Sequence, residues 1–284
     1  MNQPTEDQII AALEASGYLF EQDVATKLSS LGFHVETNYA FQDHDLEKSR
    51  EIDVRAIQRI AVNETAKIQF FVELLVECKD FDSPLVFLER QKNARELNVA
   101  EPKEYVFPFR VMEKRLDEKT FQEVPAFSHL QLRDHHYYFR EQKKATQFSK
   151  IVRKGSEWSA NHEGIYDSLV LPLAKLLEAR RAEVLPSARG SEWRAVWLFF
   201  PMVVLRDHLF SFDLSGADRK LQRRERISFV RHLDAEKLKG HYLIDFLTYE
   251  ALESYISKDI ADFCAPIKRL VEHEPAALNN VSVR

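Results

Sequence analysis

The chain has 284 residues, of which 45% are hydrophobic and 30% charged, and its formal net charge at pH 7 is -5. This size and composition are ordinary for a globular protein with a sizeable core, organised as one large domain or two smaller ones. The negative balance argues against a protein that coats nucleic acid through global positive charge, although a local basic groove is compatible with it.

The sequence lacks the commonest signals of secretion and of several enzyme classes. Its two cysteines, Cys78 and Cys264, lie far apart and form no CxxC pair, so neither a disulfide framework nor a cysteine zinc site is indicated. The first ten residues lack a basic region followed by an apolar stretch, and the longest apolar run, residues 195–205, is shorter than the roughly 20 residues of a spanning helix. We therefore expect a cytoplasmic protein that does not cross a membrane.

No GxGxxG, P-loop, GxSxG or HExxH pattern is present, which argues against nucleotide-binding enzymes, α/β-hydrolases and metalloproteases.

The first hundred residues predict two helices and a β-hairpin. Apolar residues recur at helical intervals over residues 5–31, with Gly17 as a break and Gly32 as the end. Residues 33–40 alternate as in a strand, and residues 51–62 and 66–78 are β-rich runs joined by a short turn, which predicts an antiparallel hairpin. Residues 85–99 predict a helix that ends before Pro102.

The remainder alternates between helical and β-rich segments. Helices are predicted at 142–154, 165–183 and 249–271, and strands at 194–205, 209–214, 226–233 and 242–248. This order favours one mixed α/β domain over residues 1–284, with a catalytic core at 1–100, a mainly helical insertion at 101–190, and strands and a helix at 191–284 that complete or extend the fold. A boundary near Pro186, which would give a second, β-rich domain, is the alternative.

The residues that could carry chemistry lie at one end of the predicted hairpin. The apolar run of residues 70–79 ends in Glu77, Cys78 and Lys79, and strand alternation places Glu77 and Lys79 on one face. Asp53 lies near the start of the partner strand, so the hairpin brings it toward Glu77. Two carboxylates and an ammonium at the end of a buried sheet are costly to desolvate unless a metal or a substrate compensates them. Such oxygen ligands hold Mg²⁺ or Mn²⁺, and a nearby lysine can orient or deprotonate a water for phosphodiester cleavage.

These residues resemble the PD-(D/E)XK, or restriction-endonuclease-like, nuclease superfamily. Its pattern is an acid on one strand, then Glu-x-Lys on the next, often with a glutamate on the preceding helix. Asp53 matches the acid, residues 77–79 match Glu-x-Lys, and Glu21 looks like the helical glutamate, whereas Ile52 replaces the proline that names the motif. The resemblance covers residues 15–100 and implies that Asp53, Glu77 and the Cys78 carbonyl hold a Mg²⁺ or Mn²⁺ ion, while Lys79 serves the nucleophilic water.

The resemblance also implies a fold and a class of substrate. The expected fold is a restriction-endonuclease-like core, with a central mixed β-sheet flanked by helices. The expected activity is hydrolysis of phosphodiester bonds in nucleic acid. The expected substrate is DNA rather than RNA, and the expected role is restriction, repair or defence. Members of the superfamily often act as dimers, so a homodimer is a further expectation.

Other interpretations of the same residues remain open. Glu77 and Lys79 could form only a structural ion pair, and Glu73, which shares their face, could be a further ligand or make a buried hydrogen bond. The chain could also be a catalytically inactive nuclease-like module that binds nucleic acid or a protein partner. Two basic runs could contact phosphates or form solvated faces: Lys143, Lys144, Lys150, Arg153 and Lys154 in the first, and Arg219, Lys220, Arg223, Arg224 and Arg226 in the second.

Overall fold

The computed structural model describes residues 3–43, 48–94, 96, 102–109, 111–115, 121–190, 192–216 and 219–279. Within them the helices are α1 (Glu6–Ser16), α2 (Tyr18–Ser30), α3 (Ala126–His129), α4 (Tyr137–Arg140), α5 (Ile165–Leu169), α6 (Leu171–Ala188), α7 (Leu252–Ser254) and α8 (Ala261–His273). The strands are β1 (His34–Asp43), β2 (Lys48–Asn63), β3 (Ile68–Lys79), β4 (Leu85–Gln91), β5 (Tyr105–Val106), β6 (Val111–Arg115), β7 (Phe121–Pro125), β8 (Lys143–Lys154), β9 (Glu157–Asn161), β10 (Arg194–Leu205), β11 (Leu209–Asp213), β12 (Leu221–Arg223), β13 (Arg226–Asp234) and β14 (Lys239–Thr248). A π-helical segment, Tyr255–Ile260, joins α7 to α8.

Twelve of these strands form one mixed sheet. Its order is β1-β2-β3-β10-β14-β13-β8-β4-β11-β12, with β5 paired to β10 and β9 to β8. Strand β10 lies between β3 and β14 and is parallel to both. Because parallel strands end at the same edge of a sheet, the carboxyl-terminal ends of β3, β10 and β14 meet there. The mixed α/β class, with a large mixed sheet flanked by helices, is therefore confirmed.

Each face of the sheet has its own apolar layer. Along β3, Val72 and Val76 contact one layer together with Phe20 of α2 and Phe263 of α8. Leu75 of the same strand contacts the other layer, to which α6 and the opposite-facing residues of β10 belong. The alternation of side chains along a strand produces this division. Consequently Glu73, Glu77 and Lys79 share the parity of Leu75 and belong to the α6 side of β3.

Several predicted elements are present. The helical segment at the start breaks at Gly17, which has a φ of +82°, a left-handed conformation that suits glycine at the end of α1. Strands β2 and β3 form the predicted antiparallel hairpin, with Val54 opposite Val76. The four strands predicted after residue 190 correspond to β10, β11, β13 and β14, and the predicted helix over 165–183 corresponds to α5 and α6.

Two predicted helices are wrong. Residues 85–91 of the range 85–99 form β4, and residues 143–154 form β8, which pairs with β4 in antiparallel register. Leu85, Phe87 and Glu89 are buried while the residues between them are less so, which is the period of a strand. Long charged side chains gave both segments a helical bias, but pairing between residues distant in sequence overrides such a bias. Residues 95 and 97–99 of the first range lie outside the described residues.

The range 101–190 differs from the mainly helical segment predicted for it. It contains strands β5 to β9 as well as α3 to α6, and β5, β8 and β9 belong to the large sheet. Of the short strands there, β5 pairs with β10, β9 pairs with β8, and β6 and β7 form a separate two-stranded sheet. No helix in the described ranges is long and apolar enough to cross a membrane.

Candidate active site

The hairpin brings Asp53 of β2 to Glu77 and Lys79 of β3. The pairing of β2 with β3 ends at Val54 and Val76. Beyond that point the Asp53 Oδ2, rather than a backbone carbonyl, accepts the N–H of Cys78 at 2.6 Å. The Asp53 carboxylate is thereby held against the end of β3.

Glu77 and Lys79 contact each other directly at the same place. The Lys79 Nζ donates to the Glu77 Oε1 at 2.5 Å, and both side chains lie on the same side of β3. The Glu77 side chain is 11% exposed and that of Lys79 is 24% exposed, so the pair is accessible from one side only. A charge pair this far from water is sensitive to any further charge nearby.

Helix α2 adds Glu21 to this cluster. The carboxylate of Glu21 is half-buried and lies close enough to Asp53 and Lys79 for their charges to affect its pKa. Phe20 and Val24, on the buried face of the helix, pack into the core and hold α2 against the sheet. The Lys27 Nζ also donates to the carbonyl of Tyr249 at 3.0 Å, which ties α2 to the chain that follows β14.

Burial raises the pKa of all three acids, and the charge of Asp53 raises those of Glu77 and Glu21 further. Burial first, and then repulsion by Asp53, raises the pKa of Glu77 to about 7, although Lys79 opposes this shift. Burial also raises the pKa of Asp53, against the opposing effects of Lys79 and the Cys78 N–H. Burial and repulsion by Asp53 raise the pKa of Glu21. Burial alone would lower the pKa of Lys79, but Glu77 and Asp53 outweigh it and the net shift is upward, so Lys79 is a cation at neutral pH.

This donor set suits one hard divalent cation. Carboxylate and carbonyl oxygens are the ligands that Mg²⁺ prefers, and Asp53, Glu77 and the Cys78 carbonyl supply them. A cation there would favour the ionised form of both acids, whose pKa values burial raises, and would relieve the repulsion of Glu77 by Asp53. The Cys78 thiol points away into the apolar layer, and burial raises its pKa, so it stays neutral. Among the described residues, no group of three or more His, Cys, Asp or Glu side chains that could hold a metal ion is found.

A groove of mixed charge lies beside this edge. A cavity of about 370 Å³ is lined by three arginines and three acids, together with Thr248: Arg206, Arg223, Arg224, Asp207, Glu225 and Glu250. The Arg206 N–H donates to the Lys79 carbonyl at 3.2 Å, and the Arg206 guanidinium lies 4.5 Å from the centre of the Phe20 ring. The position of Arg206 beside Lys79 was not predicted from the sequence. Arg206 directly follows the apolar run of β10, just as Lys79 ends the apolar run of β3, and this similarity is the sequence signal that could have indicated it.

Other residues considered from the sequence have structural contacts. Glu73 is buried, and its Oε1 accepts hydrogen bonds from Arg55 and Arg180, each at 2.7 Å, so the buried-hydrogen-bond interpretation holds. His136 is buried and its Nε2 lies 2.5 Å from the Tyr105 hydroxyl. In the basic runs, Lys143 pairs with Asp213, Lys144 with Glu96, Arg223 with Asp207, Arg224 with Glu89 and Arg226 with Glu141.

Comparison with known proteins gives no family assignment. No family model, no curated protein and no solved structure matches this chain.

Proposed function

We propose that this protein is a metal-dependent nuclease whose active site is formed by Asp53, Glu77, Lys79 and Glu21. The observation that carries the proposal is the convergence of three acids and one lysine at the end of β3, where burial raises the pKa of each acid and repulsion by Asp53 raises those of Glu77 and Glu21 further. Perturbed acids gathered at one sheet edge are typical of catalytic and metal-binding sites. The restriction-endonuclease-like motif in the same residues supports a core of that type.

The residues have separable roles in phosphodiester hydrolysis. Asp53, Glu77 and the Cys78 carbonyl would hold Mg²⁺ or Mn²⁺, and a bound ion would neutralise charge on the phosphate and acidify a water. Lys79 remains protonated, so its role is to orient the attacking water or to stabilise the phosphate rather than to act as a base. Hydrolysis adds the oxygen of water to phosphorus and breaks the bond to the alcohol oxygen. Glu21, whose pKa is raised, would accept the proton that the water loses, and the leaving alcohol oxygen would take a proton from solvent.

A nucleic-acid substrate is supported by the surroundings of the site. The groove contains Arg206, whose backbone N–H donates to the carbonyl of Lys79, and its arginines would contact phosphates next to the one cleaved, although Asp207, Glu225 and Glu250 line the same groove. Its arginines also have carboxylate partners, which keep the groove from a large positive charge and fit the chain's net charge of -5. The preference for DNA over RNA comes from the motif's resemblance alone.

The direct test is cleavage of supercoiled plasmid, linear duplex and single-stranded DNA and RNA, with Mg²⁺, Mn²⁺ or EDTA. We expect metal-dependent cleavage by the natural protein, and a loss of at least about 100-fold in Asp53→Asn and Lys79→Ala, as for removal of other groups that stabilise a transition state. Glu51→Gln is the matched control, because Glu51 lies two residues from Asp53 on the same strand and is exposed. It should cleave like the natural protein.

The alternative of a non-catalytic binding module has one observation in its favour. The close Lys79–Glu77 pair is also what a purely structural ion pair would look like. Binding of labelled DNA at low salt, measured beside cleavage, separates the two functions. Binding without cleavage in any metal would establish the module and overturn the nuclease.

A further inference from the structure

The large sheet has a gap along one edge of β8. Strand β8 pairs with β4 along its other edge. On the edge with the gap it pairs with β13 through Ala145 and Phe229 only, and with β9 from Lys150 onward. No strand in the described part of the chain pairs there with the four residues between Ala145 and Lys150, a stretch of roughly 16 Å. Backbone hydrogen-bonding groups on such an edge need water or a ligand as partners.

A cavity occupies this gap. Its volume is about 360 Å³, within the range of small-molecule sites. Residues of β4, β13 and α5 line it, together with the four unpaired residues of β8: Thr146, Gln147, Phe148 and Ser149. The lining residues that the structure describes include no aspartate or glutamate. The cavity therefore contains no carboxylate that would repel an anion.

Arg231 of β13 brings a positive charge to this cavity. Its side chain is exposed, and its guanidinium lies 5.4 Å from the centre of the Tyr166 ring. Among the described residues, no carboxylate forms an ion pair with Arg231. Asp167 is near enough for its charge to raise the pKa of Tyr166, but it does not line the cavity. An anion in the cavity would thus meet a cation that no carboxylate already neutralises.

The Tyr166 hydroxyl of α5 is a second donor in the lining. Its oxygen is buried and has no hydrogen-bond partner in the part of the chain that the structure describes. Burial raises the pKa of Tyr166, against the opposing effect of Arg231, so the hydroxyl stays protonated at neutral pH. A buried hydroxyl without a partner is destabilising unless a ligand or water accepts its hydrogen bond.

Two aromatic rings supply the apolar part of the lining. The rings of Phe148 and Phe229 have centroids 5.2 Å apart and planes at 84° to each other. Leu88 of β4 lines the cavity beside them. The lining therefore combines an aromatic wall with an unpaired cation and a buried hydroxyl donor.

We propose that this cavity binds a small organic acid that carries one carboxylate on an aromatic body. A guanidinium pairs with a carboxylate through two parallel hydrogen bonds, so Arg231 can hold the carboxylate, and the Tyr166 hydroxyl can donate to the same group. The aromatic body packs against Phe148 and Phe229. One carboxylate balances the one arginine in the lining. The site shares no lining residue with the groove beside Lys79, and the proposal does not depend on nuclease activity.

The test is isothermal titration calorimetry of the full chain with phenylacetate, indole-3-acetate, acetate and the two amides phenylacetamide and indole-3-acetamide. EDTA is present, so that no bound metal takes up a carboxylate. We expect a 1:1 complex with at least one aromatic acid at submillimolar concentration. Binding of the matching amide should be at least about tenfold weaker, because it lacks the charge, and acetate should not bind.

Two results with these probes would overturn the proposal. The first is absence of binding by both aromatic acids at millimolar concentration. The second is equal binding of an acid and its amide, because the cavity would then not recognise the carboxylate.

Variants assign the binding to this cavity. Tyr166→Phe removes only the hydroxyl and Arg231→Gln removes the charge, and each should weaken binding of the acid by about tenfold. Arg153→Gln is the matched control, because Arg153 is an exposed arginine of β8 beyond the gap, and it should bind like the natural protein. Circular dichroism and the thermal midpoint verify folding. Arg231→Lys, which keeps the charge but not the planar pair of donors, replaces Arg231→Gln if that variant does not fold. Undiminished binding by the folded cavity variants would contradict the assignment.

Discussion

The carboxylate of Asp53 accepts the backbone N–H of Cys78 at 2.6 Å, at the place where the pairing of β2 with β3 ends. This hydrogen bond holds Asp53 beside Glu77, and its donor is a neutral backbone N–H rather than a cation. A carboxylate has about four acceptor positions, so Asp53 keeps capacity for a cation. The two acids repel each other, and a divalent ion would be bound partly because it removes this repulsion.

Mg²⁺ should therefore stabilise the folded protein. A ligand that binds only the folded state at 100 times its Kd adds about 2.7 kcal/mol to the free energy of unfolding. We expect the thermal midpoint to rise with Mg²⁺ in the natural protein and in Glu51→Gln, and to stay constant in Asp53→Asn. Differential scanning fluorimetry with Mg²⁺, and with NaCl at equal ionic strength, measures this. An equal rise in Asp53→Asn would place the ion elsewhere.

Affinity for Mg²⁺ should increase with pH through about 7. Burial and the charge of Asp53 raise the pKa of Glu77 to about 7, and only the ionised carboxylate is a good ligand. At pH 6 about a tenth of such a group is ionised, so the Kd should be roughly tenfold higher at pH 6 than at pH 8. Calorimetric titration at both pH values tests this. Glu77→Gln should bind weakly with little dependence on pH, and a natural protein with equal Kd values would refute the role of Glu77.

The same shift predicts how stability depends on pH without metal. The folded-state pKa of Glu77 lies above its ordinary value of 4.5, so the folded protein holds the proton more tightly than the unfolded chain. Stability from this group is present below pH 4.5 and is lost as pH rises to about 7. The free energy of unfolding in EDTA, from urea titrations at pH 5 and pH 8, should fall less over this range in Glu77→Gln than in the natural protein. An equal fall would contradict the raised pKa.

Glu73 should be important for stability rather than for catalysis. It is buried between Arg55 and Arg180, and removing one partner of a buried pair leaves uncompensated charge at a cost of about 3–5 kcal/mol. Urea unfolding of Glu73→Gln should show this loss. Glu183→Gln is the control, because Glu183 contacts the same Arg180 but its side chain is 65% exposed; its effect should stay below about 1 kcal/mol. Similar losses in both variants would show that burial does not determine the effect.

The parts of the site that depend on local pattern could be predicted from the sequence. Asp53, Glu77 and Lys79 lie on adjacent strands of a hairpin with a short turn, and a period of two residues sets which side chains share a face. Arg206 and Glu73 depend instead on distant partners. Arg206 adjoins Lys79 only because β10 pairs with β3 across more than a hundred residues, and Glu73 meets Arg180 through the packing of α6.

The wrong elements have the same cause. The segments that form β4 and β8 carry long charged side chains whose intrinsic preference is helical. They form strands because β4 pairs with β8 on one side and with β11 on the other. The pattern of a single sequence does not contain that information. The mixed character of the sheet has a similar origin, since the position of β10 between β3 and β14 arises from long-range pairing.

Arg226 should stabilise the fold in a manner that depends on pH. Asp245 is fully buried, accepts from the Tyr255 hydroxyl at 2.7 Å and from the Ser228 hydroxyl at 2.5 Å, and has Arg226 as its main nearby cation. The Arg226 guanidinium also donates to Glu141 at 2.8 Å. Burial raises the pKa of both acids, and Arg226 opposes the shift in each.

Replacing Arg226 by methionine would raise these pKa values further. A carboxyl group whose folded-state pKa exceeds its unfolded value loses stability as pH rises from the unfolded pKa through the folded one. Arg226→Met should therefore be destabilised by about 3 kcal/mol at pH 8 and by less at pH 5, as measured by urea unfolding. Arg223→Met, whose side chain is 65% exposed, should change little at either pH. An equal loss for Arg226→Met at both pH values would contradict this electrostatic role and would assign the contribution of Arg226 to its contacts with the rings of Tyr137 and Tyr255.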